Sequence, residues 1–237
     1  MDGDIWGGVC DMKIAVLSLG GSVISRDKPN YSLLKKFRSI LRNNYGKYKF
    51  VVVCGGGSIA RSYISSLRKD GRSIKEQSLA GIMATRMNAR FMMQFFGKEA
   101  NDYLPLDMNS VGECLEKNKV VFCGALRYAS KSTSDYTSAR LAKHFSTFLI
   151  NVTNVDGLYD SDPRKNKNAK LIKNIDADDF KEMALKIKYR AGQHFVLDQR
   201  ASVLIAKYKI KTYIIGTKII NLDKIFKNKR FLGSSIE

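Results

Sequence analysis

Several residue types that often carry chemistry are scarce in this sequence of 237 residues. It contains two histidines, three prolines, one tryptophan and four cysteines, with no CxxC spacing among the cysteines. So few histidines and cysteines, without paired spacing, argue against a zinc site. The cysteines are therefore expected to be reduced and mostly buried. No stretch resembles an interdomain linker and no internal repeat is present, so one domain is expected.

Long apolar runs are also missing. No stretch approaches the roughly 18 apolar residues that a membrane-spanning helix needs. The first twelve residues contain Asp2, Asp4 and Asp11 and lack the basic start of a signal peptide. The sequence therefore predicts no membrane association and a cytoplasmic location.

Acidic residues are few relative to basic ones. The chain has 22 Asp and Glu against 41 Lys and Arg, a formal net charge of +19. This charge favours anionic partners such as nucleotides, nucleic acids or acidic lipids without choosing among them. The lysines are spread along the chain, whereas nucleic-acid readers concentrate their charge beside exposed aromatics. A solvated lysine-rich surface is therefore favoured, and nucleic-acid binding is not expected.

Two periodicities alternate along the chain. Short apolar runs typical of buried strands occupy residues 13–19, 49–54, 119–123, 147–152 and 212–215. Apolar residues at helical spacing occupy residues 31–41, 59–67, 78–96, 110–117, 133–144, 176–187 and 199–208. Strands separated by helices of about ten or more residues need crossover connections. The predicted fold class is therefore α/β, a three-layer α/β/α sandwich with a mainly parallel central sheet.

Two glycine-rich turns follow the first two predicted strands. They are Gly20-Gly21-Ser22 and Gly55-Gly56-Gly57-Ser58. Backbone N–H groups in such turns approach phosphate oxygens closely because no Cβ stands in the way. Neither turn has the Walker pattern GxxxxGK(S/T) or the GxGxxG pattern, so these two kinds of nucleotide site are disfavoured. One such turn can simply close a tight bend, but two at strand ends, where parallel sheets bind ligands, favour phosphate binding.

A long polar loop follows the predicted strand 147–152. Residues 151–163 contain an Asp-Gly and an Asp-Pro turn among many polar side chains. A loop of this kind at the carboxyl end of a strand suits the recognition of a base and a ribose.

Four motifs occur in order along the chain: Leu19-Gly20-Gly21-Ser22-Val23, Gly55-Gly56-Gly57 with Ala60-Arg61, the helical segment Ala84-Thr85-Arg86-Met87-Asn88-Ala89, and Thr153-Asn154-Val155-Asp156-Gly157-Leu158-Tyr159 with Asp162-Pro163. Together they resemble the amino-acid-kinase family, and most of all its UMP kinases of the archaeal type. The resemblance implies an amino-acid-kinase (carbamate-kinase-like) fold over residues 13–237, with residues 1–12 as an N-terminal tail. It also implies an acceptor-binding half at about 13–145 and an ATP-binding half at about 146–237.

The resemblance further implies an activity. The γ-phosphoryl group of ATP would pass to UMP, giving UDP and ADP in pyrimidine nucleotide biosynthesis, with Mg²⁺ carried by ATP. A homohexamer built as a trimer of dimers would be the assembly. Direct transfer needs no covalent nucleophile, which agrees with the scarcity of histidine and cysteine.

The resemblance assigns roles to individual residues as well. The residues that would bind ATP are Gly21, Ser22, Gly57, Arg61, Thr153, Tyr159 and Asp162. Those that would bind UMP are Gly56, Ser78, Lys131, Ser132, Thr133 and Ser134. Gly21, Ser22 and Asp135 would be catalytic, with Asp135 organising the cations around the transferred group; a helix cap is its alternative role. No protein side chain would ligate a metal, and His194 is expected to have a local structural role.

The sequence departs from the family pattern at three places. Many members carry a lysine where this chain has Ser18, although some UMP kinases of the archaeal type lack it, so another cation must replace it. Lys13 or Lys131 could supply positive charge near the phosphates. Ser78 stands where an aspartate holds the acceptor ribose in UMP kinases. The loop 124–135 is about two residues longer than expected and lacks its second glycine.

These departures leave two alternatives open. The first is a kinase of the same fold that acts on another small phosphate or carboxylate. The second is a catalytically idle regulator that binds nucleotides or nucleic acid, which the net charge and Ser18 motivate.

Overall fold

The computed structural model describes residues 12–128, 133–186 and 196–237. Its strands are β1 Lys13–Leu19, β2 Tyr48–Cys54, β3 Val120–Cys123, β4 Leu149–Val152, β5 Leu158–Tyr159, β6 Leu171–Ile172, β7 Asn174–Ile175, β8 Thr212–Ile215 and β9 Ser234–Ile236. Its helices are α1 Gly21–Ile24, α2 Tyr31–Asn43, α3 Gly57–Lys69, α4 Ile74–Phe96, α5 Met108–Lys117, α6 Ser134–His144, α7 Ala177–Leu185, α8 Gln199–Tyr208 and α9 Ile220–Phe226, with a 3₁₀ turn at Gly97–Glu99.

Seven of the strands form one sheet in the order β3-β2-β1-β4-β8-β9-β7. β1 lies between β2 and β4 and is parallel to both, and the β1–β2 register runs from Lys13 opposite Tyr48 to Leu19 opposite Cys54. β9 is antiparallel to β8 and parallel to β7. The prediction of a mainly parallel sheet is confirmed.

The apolar side chains of the sheet divide between two cores. In β1, Ala15, Leu17 and Leu19 face a core that α2, α4 and α9 complete, whereas Val16 faces a second core formed with α5, α6, α7 and α8. Because neighbouring side chains of a strand point to opposite faces, a strand buried on both sides must be apolar almost throughout. The three-layer α/β/α sandwich is confirmed.

Helix boundaries follow local capping chemistry. α4 begins with a capping box, in which the Ser73 hydroxyl accepts from the Glu76 N–H and the Glu76 carboxylate accepts from the Ser73 N–H. Its start at Ile74 precedes the predicted start at residue 78, because the first turn presents polar residues outside the apolar periodicity. The predicted helix 176–187 begins one residue later, at Ala177, and Ile187 lies outside the described residues.

The carboxyl-terminal elements α9 and β9 were not predicted. β9 begins with Ser234 and Ser235, which have no strand-like apolar pattern, and backbone pairing with β7 and β8 holds it in place. The Ser234 hydroxyl also accepts from the Leu158 N–H at 2.8 Å, which joins the β5–β6 hairpin to the sheet. In the part of the chain that the structure describes, no helix combines the length and apolar character that crossing a bilayer requires.

Candidate active site

The two glycine turns lie against each other at the carboxyl ends of β1 and β2. A Cβ added to Gly21 would stand 2.1 Å from the backbone nitrogen of Gly57 and 2.5 Å from the carbonyl oxygen of Gly55. Gly57 has φ +66°, a conformation that other L residues rarely adopt. The adjacency of β1 and β2 in the sheet thus brings two backbone segments, about 35 residues apart in sequence, into direct contact.

Helix α4 holds the second glycine turn in place through a side-chain hydrogen bond. The buried Asn88 side chain donates from Nδ2 to the Gly55 carbonyl at 2.7 Å. One turn earlier, Thr85 accepts from the Ala125 N–H at 2.9 Å, and Arg86 donates to the Leu126 carbonyl at 2.6 Å. One face of α4 therefore positions both the glycine turn and the start of the loop that follows β3.

Two arginines supply positive charge to the cleft formed by the glycine turns. Arg61, from α3, donates to the Ser22 hydroxyl at 3.0 Å, and Arg164, from the loop after β5, lines the same cleft. Burial lowers the pKa of Arg61, and the neighbouring charges of Arg164 and Arg26 lower it further. An anion bound in this cleft would relieve the repulsion that Arg61 experiences from Arg164 and Arg26.

The cleft is also lined by one carboxylate of the described residues, that of Asp135. It lies in the first turn of α6 and accepts from the Ser18 hydroxyl of β1 at 2.9 Å. Burial, and then the negative charge of Asp198, raise the pKa of Asp135 to about 7. The side chain of β1 that contacts this carboxylate is thus a neutral donor and not a cation.

A second cavity adjoins the cleft. Tyr159 and Asp162 line it, and it shares Val155, Arg164 and Val196 with the first cavity. Arg164 donates to Asp162 through Nε and Nη2, each at 2.9 Å. The side-chain hydrogen bonds from Arg164 hold the pKa of Asp162 at about 2, so that Asp162 is ionised across the physiological range. The two adjoining cavities, which extend from the glycine turns to the β5–β6 hairpin, are together called the groove.

Most of the residues assigned by resemblance come together in this groove. The first cavity is lined by Gly21, Ser22, Gly56, Gly57, Arg61, Thr133, Ser134, Asp135 and Thr153. Tyr159 and Asp162 line the second. Ser78 lines neither, and its hydroxyl donates to the Ile74 carbonyl within α4 at 2.7 Å. Lys131, Ser132 and His194 lie outside the described residues.

The expectation that Lys13 supplies charge near the phosphates is wrong. Lys13 is the first residue of β1 and lines a cleft at the amino-terminal ends of the strands. Seven strand residues at about 3.3 Å each place it roughly 20 Å from the glycine turns. Sequence reasoning also missed Arg164, which directly follows the quoted Asp162-Pro163 pair, and Asn151, whose side-chain amide donates to the Val196 carbonyl.

Comparison with known proteins agrees with this geometry. A model of the amino acid kinase family matches residues 13–216. A uridylate kinase from Thermococcus onnurineus is 34% identical over 204 residues, which are 86% of this chain and 90% of that protein. A uridylate kinase from Thermoplasma acidophilum is 35% identical over 224 residues, or 94% of this chain and 96% of that protein.

A solved structure extends the match to three dimensions. The crystal structure of uridylate kinase from Archaeoglobus fulgidus superposes with a TM-score of 0.81 at 32% identity, covering 95% of this chain and 100% of that one. The resemblance drawn from the four motifs is thereby confirmed. Since the family model spans most of the sequence and relatives above 30% identity align along nearly their whole length, the chain belongs to the amino acid kinase family.

Proposed function

We propose that this protein is a UMP kinase that transfers the γ-phosphoryl group of ATP to UMP and releases UDP and ADP. The observation that carries the proposal is the backbone contact between Gly21 and Gly57, which lets two neighbouring turns present N–H groups to two phosphate chains in one cleft. Relatives named uridylate kinase, aligned along nearly their whole length, support UMP as the acceptor.

The groove supports an orientation for the substrates. The nucleoside of ATP would lie in the cavity of Tyr159 and Asp162, with its phosphates along Gly21, Ser22, Gly57 and Arg61. The UMP phosphate would face Gly56, beside Thr133 and Ser134. Ser78, Lys131 and Ser132 remain predictions for the UMP side. The first half of the domain would thus carry more of the acceptor site and the second half more of the ATP site.

The residues of the cleft supply what phosphoryl transfer requires. Negative charge on the transferred group and on the leaving oxygen must be offset in the transition state. We assign this role to Arg61, Arg164 and the N–H groups of the glycine turns, with the amino-terminal dipole of α3 adding to them. Arg61 and Arg164 then replace the family lysine that is Ser18 here. Asp135 would orient the cationic groups and would need to be ionised to do so.

Mg²⁺ would enter this site with ATP. It prefers one or two carboxylates together with substrate phosphate oxygens over a cage of protein ligands. Among the described residues, Asp135 is the one carboxylate that lines the phosphate cleft, and no group of three or more His, Cys, Asp or Glu side chains is placed to hold a metal. This lining fits an ion that is held by the phosphate oxygens of the bound nucleotide and not by a cage of protein ligands. When bound, the ion offsets phosphate charge.

An acceptor screen tests the proposed function. With ATP and Mg²⁺, we expect ADP release to be fastest with UMP and slower with CMP, AMP and GMP. The same screen should include small carboxylates and other phosphates, because the Ser78 hydroxyl bonds within its own helix and leaves the acceptor ribose without the family aspartate. Equal rates with all nucleotides, or turnover only with a non-nucleotide acceptor, would contradict the proposal.

Arg164 should contribute mainly to ATP binding. We expect Arg164→Ala to raise the KM for ATP by about 10- to 100-fold, since a charge-assisted hydrogen bond to phosphate contributes about 1.5–3 kcal/mol. Steady-state kinetics at varied ATP measure this effect. Arg42→Ala is the matched control, because Arg42 makes an equivalent two-pronged pair with Glu99 away from the groove. The double variant Arg164→Ala/Asp162→Asn shows whether the unpaired Asp162 carboxylate accounts for the loss. An unchanged KM in Arg164→Ala would refute the assignment.

Assembly is proposed on separate grounds. The resemblance implies a homohexamer, and α4 exposes an apolar stripe of Leu79, Met83 and Met87, with Met83 69% exposed. We propose that a second copy covers this stripe. Light scattering should then give a molar mass of at least twice the 26.7 kDa of one chain, and a molar mass of a single chain would contradict the proposal. A cytoplasmic location stays a prediction.

A further inference from the structure

Asp198 is a deeply buried carboxylate for which the proposed reaction has so far no use. It is 2% exposed and is the N-cap residue of α8. It lies on the same side of the sheet as α6, which carries Asp135 and which packs against α8. A buried carboxylate without compensation is costly, so its partners show what it holds in place.

The carboxylate of Asp198 caps two helices at once. Oδ1 accepts from the Ala201 N–H at 2.8 Å, which is an ordinary cap of α8. Oδ2 accepts from the Thr133 N–H at 2.9 Å, the Thr133 hydroxyl at 2.8 Å and the Tyr136 N–H at 3.2 Å. These three donors belong to the amino-terminal end of α6. One side chain therefore ties the start of α6 to the start of α8, and both helix dipoles stabilise its charge.

Thr133 connects Asp198 to the cleft. Its hydroxyl accepts from the Asp135 N–H at 3.1 Å and lies 3.4 Å from Asp135 Oδ2. That hydroxyl has a single proton, and the shorter distance of 2.8 Å assigns it to Asp198. Thr133 and Asp135 both line the phosphate cleft, so the position of these two residues depends on a carboxylate that does not itself reach the cleft.

The charge of Asp198 also affects Asp135. Asp198 from α8 is the charged group whose field acts on Asp135. Arg61 from α3 and Arg164 from the loop after β5 line the same cavity as Asp135. Ser18 contributes only a neutral hydroxyl. The negative charge of Asp198 opposes ionisation of Asp135, while its hydrogen bonds fix where Asp135 stands.

We propose that Asp198 is a positioning residue of the transfer reaction: by accepting hydrogen bonds from the first turns of α6 and α8 together, it sets Thr133 and Asp135 at the edge of the phosphate cleft and joins the acceptor side to the ATP side. The proposal rests on the proposed function, because it assigns Asp198 a role in that same site.

Two substitutions separate geometry from charge. Asp198→Asn removes the charge and places an amide NH₂ among N–H donors. We expect it to lower kcat about 10- to 100-fold, to change the KM for ATP less than threefold, and to move the acidic limb of the pH–rate profile to lower pH. Asp198→Glu keeps the charge but displaces it by one methylene, so kcat should fall while the acidic limb stays in place.

Asp176→Asn is the matched control. Asp176 caps α7 by accepting from the Asp178 N–H, but it is exposed and remote from the cleft, so kcat and the pH profile should remain those of the parent. Circular dichroism confirms that each variant is folded, and if Asp198→Asn does not fold, Asp198→Glu decides. A parental kcat in folded Asp198 variants, or an unmoved acidic limb in Asp198→Asn, overturns the proposal.

Failure of the positioning role of Asp198 can be distinguished from failure of the proposed function. Every comparison is made with the parent chain and with whichever acceptor the screen identifies. Lack of UMP turnover contradicts the proposed substrate and leaves the Asp198 variants measurable with another acceptor, whereas parental behaviour of those variants contradicts the positioning role alone.

Discussion

Replacing Gly21 with alanine is expected to lower kcat/KM for phosphoryl transfer by at least about 100-fold, because misplacing reacting groups by about 1 Å has effects of that size. The added methyl carbon would lie 2.1 Å from the Gly57 nitrogen. Carbon and nitrogen atoms in contact need about 3.4 Å or more, so the two turns must separate by over 1 Å. Among the described glycines, positive φ occurs at Gly57, Gly71 and Gly97, so Gly21→Ala tests the contact and not backbone strain.

Gly112→Ala is the matched control for this substitution. Gly112 lies within α5, and a Cβ there would meet nothing within 4 Å. Alanine in a helix is favoured over glycine by about 0.5–1 kcal/mol, so this variant should keep full activity and unfold at a slightly higher temperature. Steady-state kinetics and thermal unfolding of both variants measure the contrast. Parental activity in a folded Gly21→Ala variant would show that contact between the turns is not required for catalysis.

The substitution Asp135→Asn should lower the activity of the protein but raise its stability above neutral pH. We expect kcat to fall by at least about 100-fold, because the carboxylate that organises the cations is lost. At pH 8 the same variant should be more stable than the parent, by at most about 4 kcal/mol, because the folded parent must ionise a carboxyl group whose pKa is raised to about 7. For a chain of this size each 1 kcal/mol corresponds to a rise of about 2–4 °C in Tm.

The sign of this effect depends on pH. A raised carboxylate pKa makes the folded state bind more protons than the unfolded state, so the contribution of Asp135 to the stability of the parent falls as pH rises from about 4 to about 7. Asparagine does not titrate. The difference in Tm between Asp135→Asn and the parent should therefore be small at pH 4, grow through this interval and be constant above it. Calorimetry across the range measures it, and a difference that shrinks towards pH 8 would refute the assigned pKa shift.

Five strands of the sheet, β1, β2, β3, β4 and β8, could be predicted from the sequence because each is a short apolar run. Residues 13–19 and 212–215 are apolar on both faces and end at glycine, and the structure has β1 and β8 over those residues. β9 could not be predicted, since Ser234 and Ser235 become strand residues only through pairing with elements distant in sequence. Tertiary pairing determined this strand where local propensity did not.

The candidate site could likewise be predicted only in part from the sequence. The glycine turns could be predicted because each follows its own strand, and the resemblance then placed Asp135 and Arg61. Asp198 contacts Thr133 across 65 positions of sequence, and an Asp before a helical segment predicts no more than an ordinary cap. The role of Arg164 likewise depends on how the loop after β5 folds back towards the glycine turns.

Helix α4 has a consequence for how turnover depends on protein concentration. Its inner face holds the carbonyl of Gly55 through Asn88, and its outer face exposes Leu79, Met83 and Met87. A second copy that binds the outer face would contact the same helix that positions the second glycine turn. Self-association and nucleotide affinity would then be thermodynamically linked, each strengthening or weakening the other by the same factor. Diluting the enzyme below its dissociation constant would change KM, and saturating nucleotide would shift the association equilibrium in return.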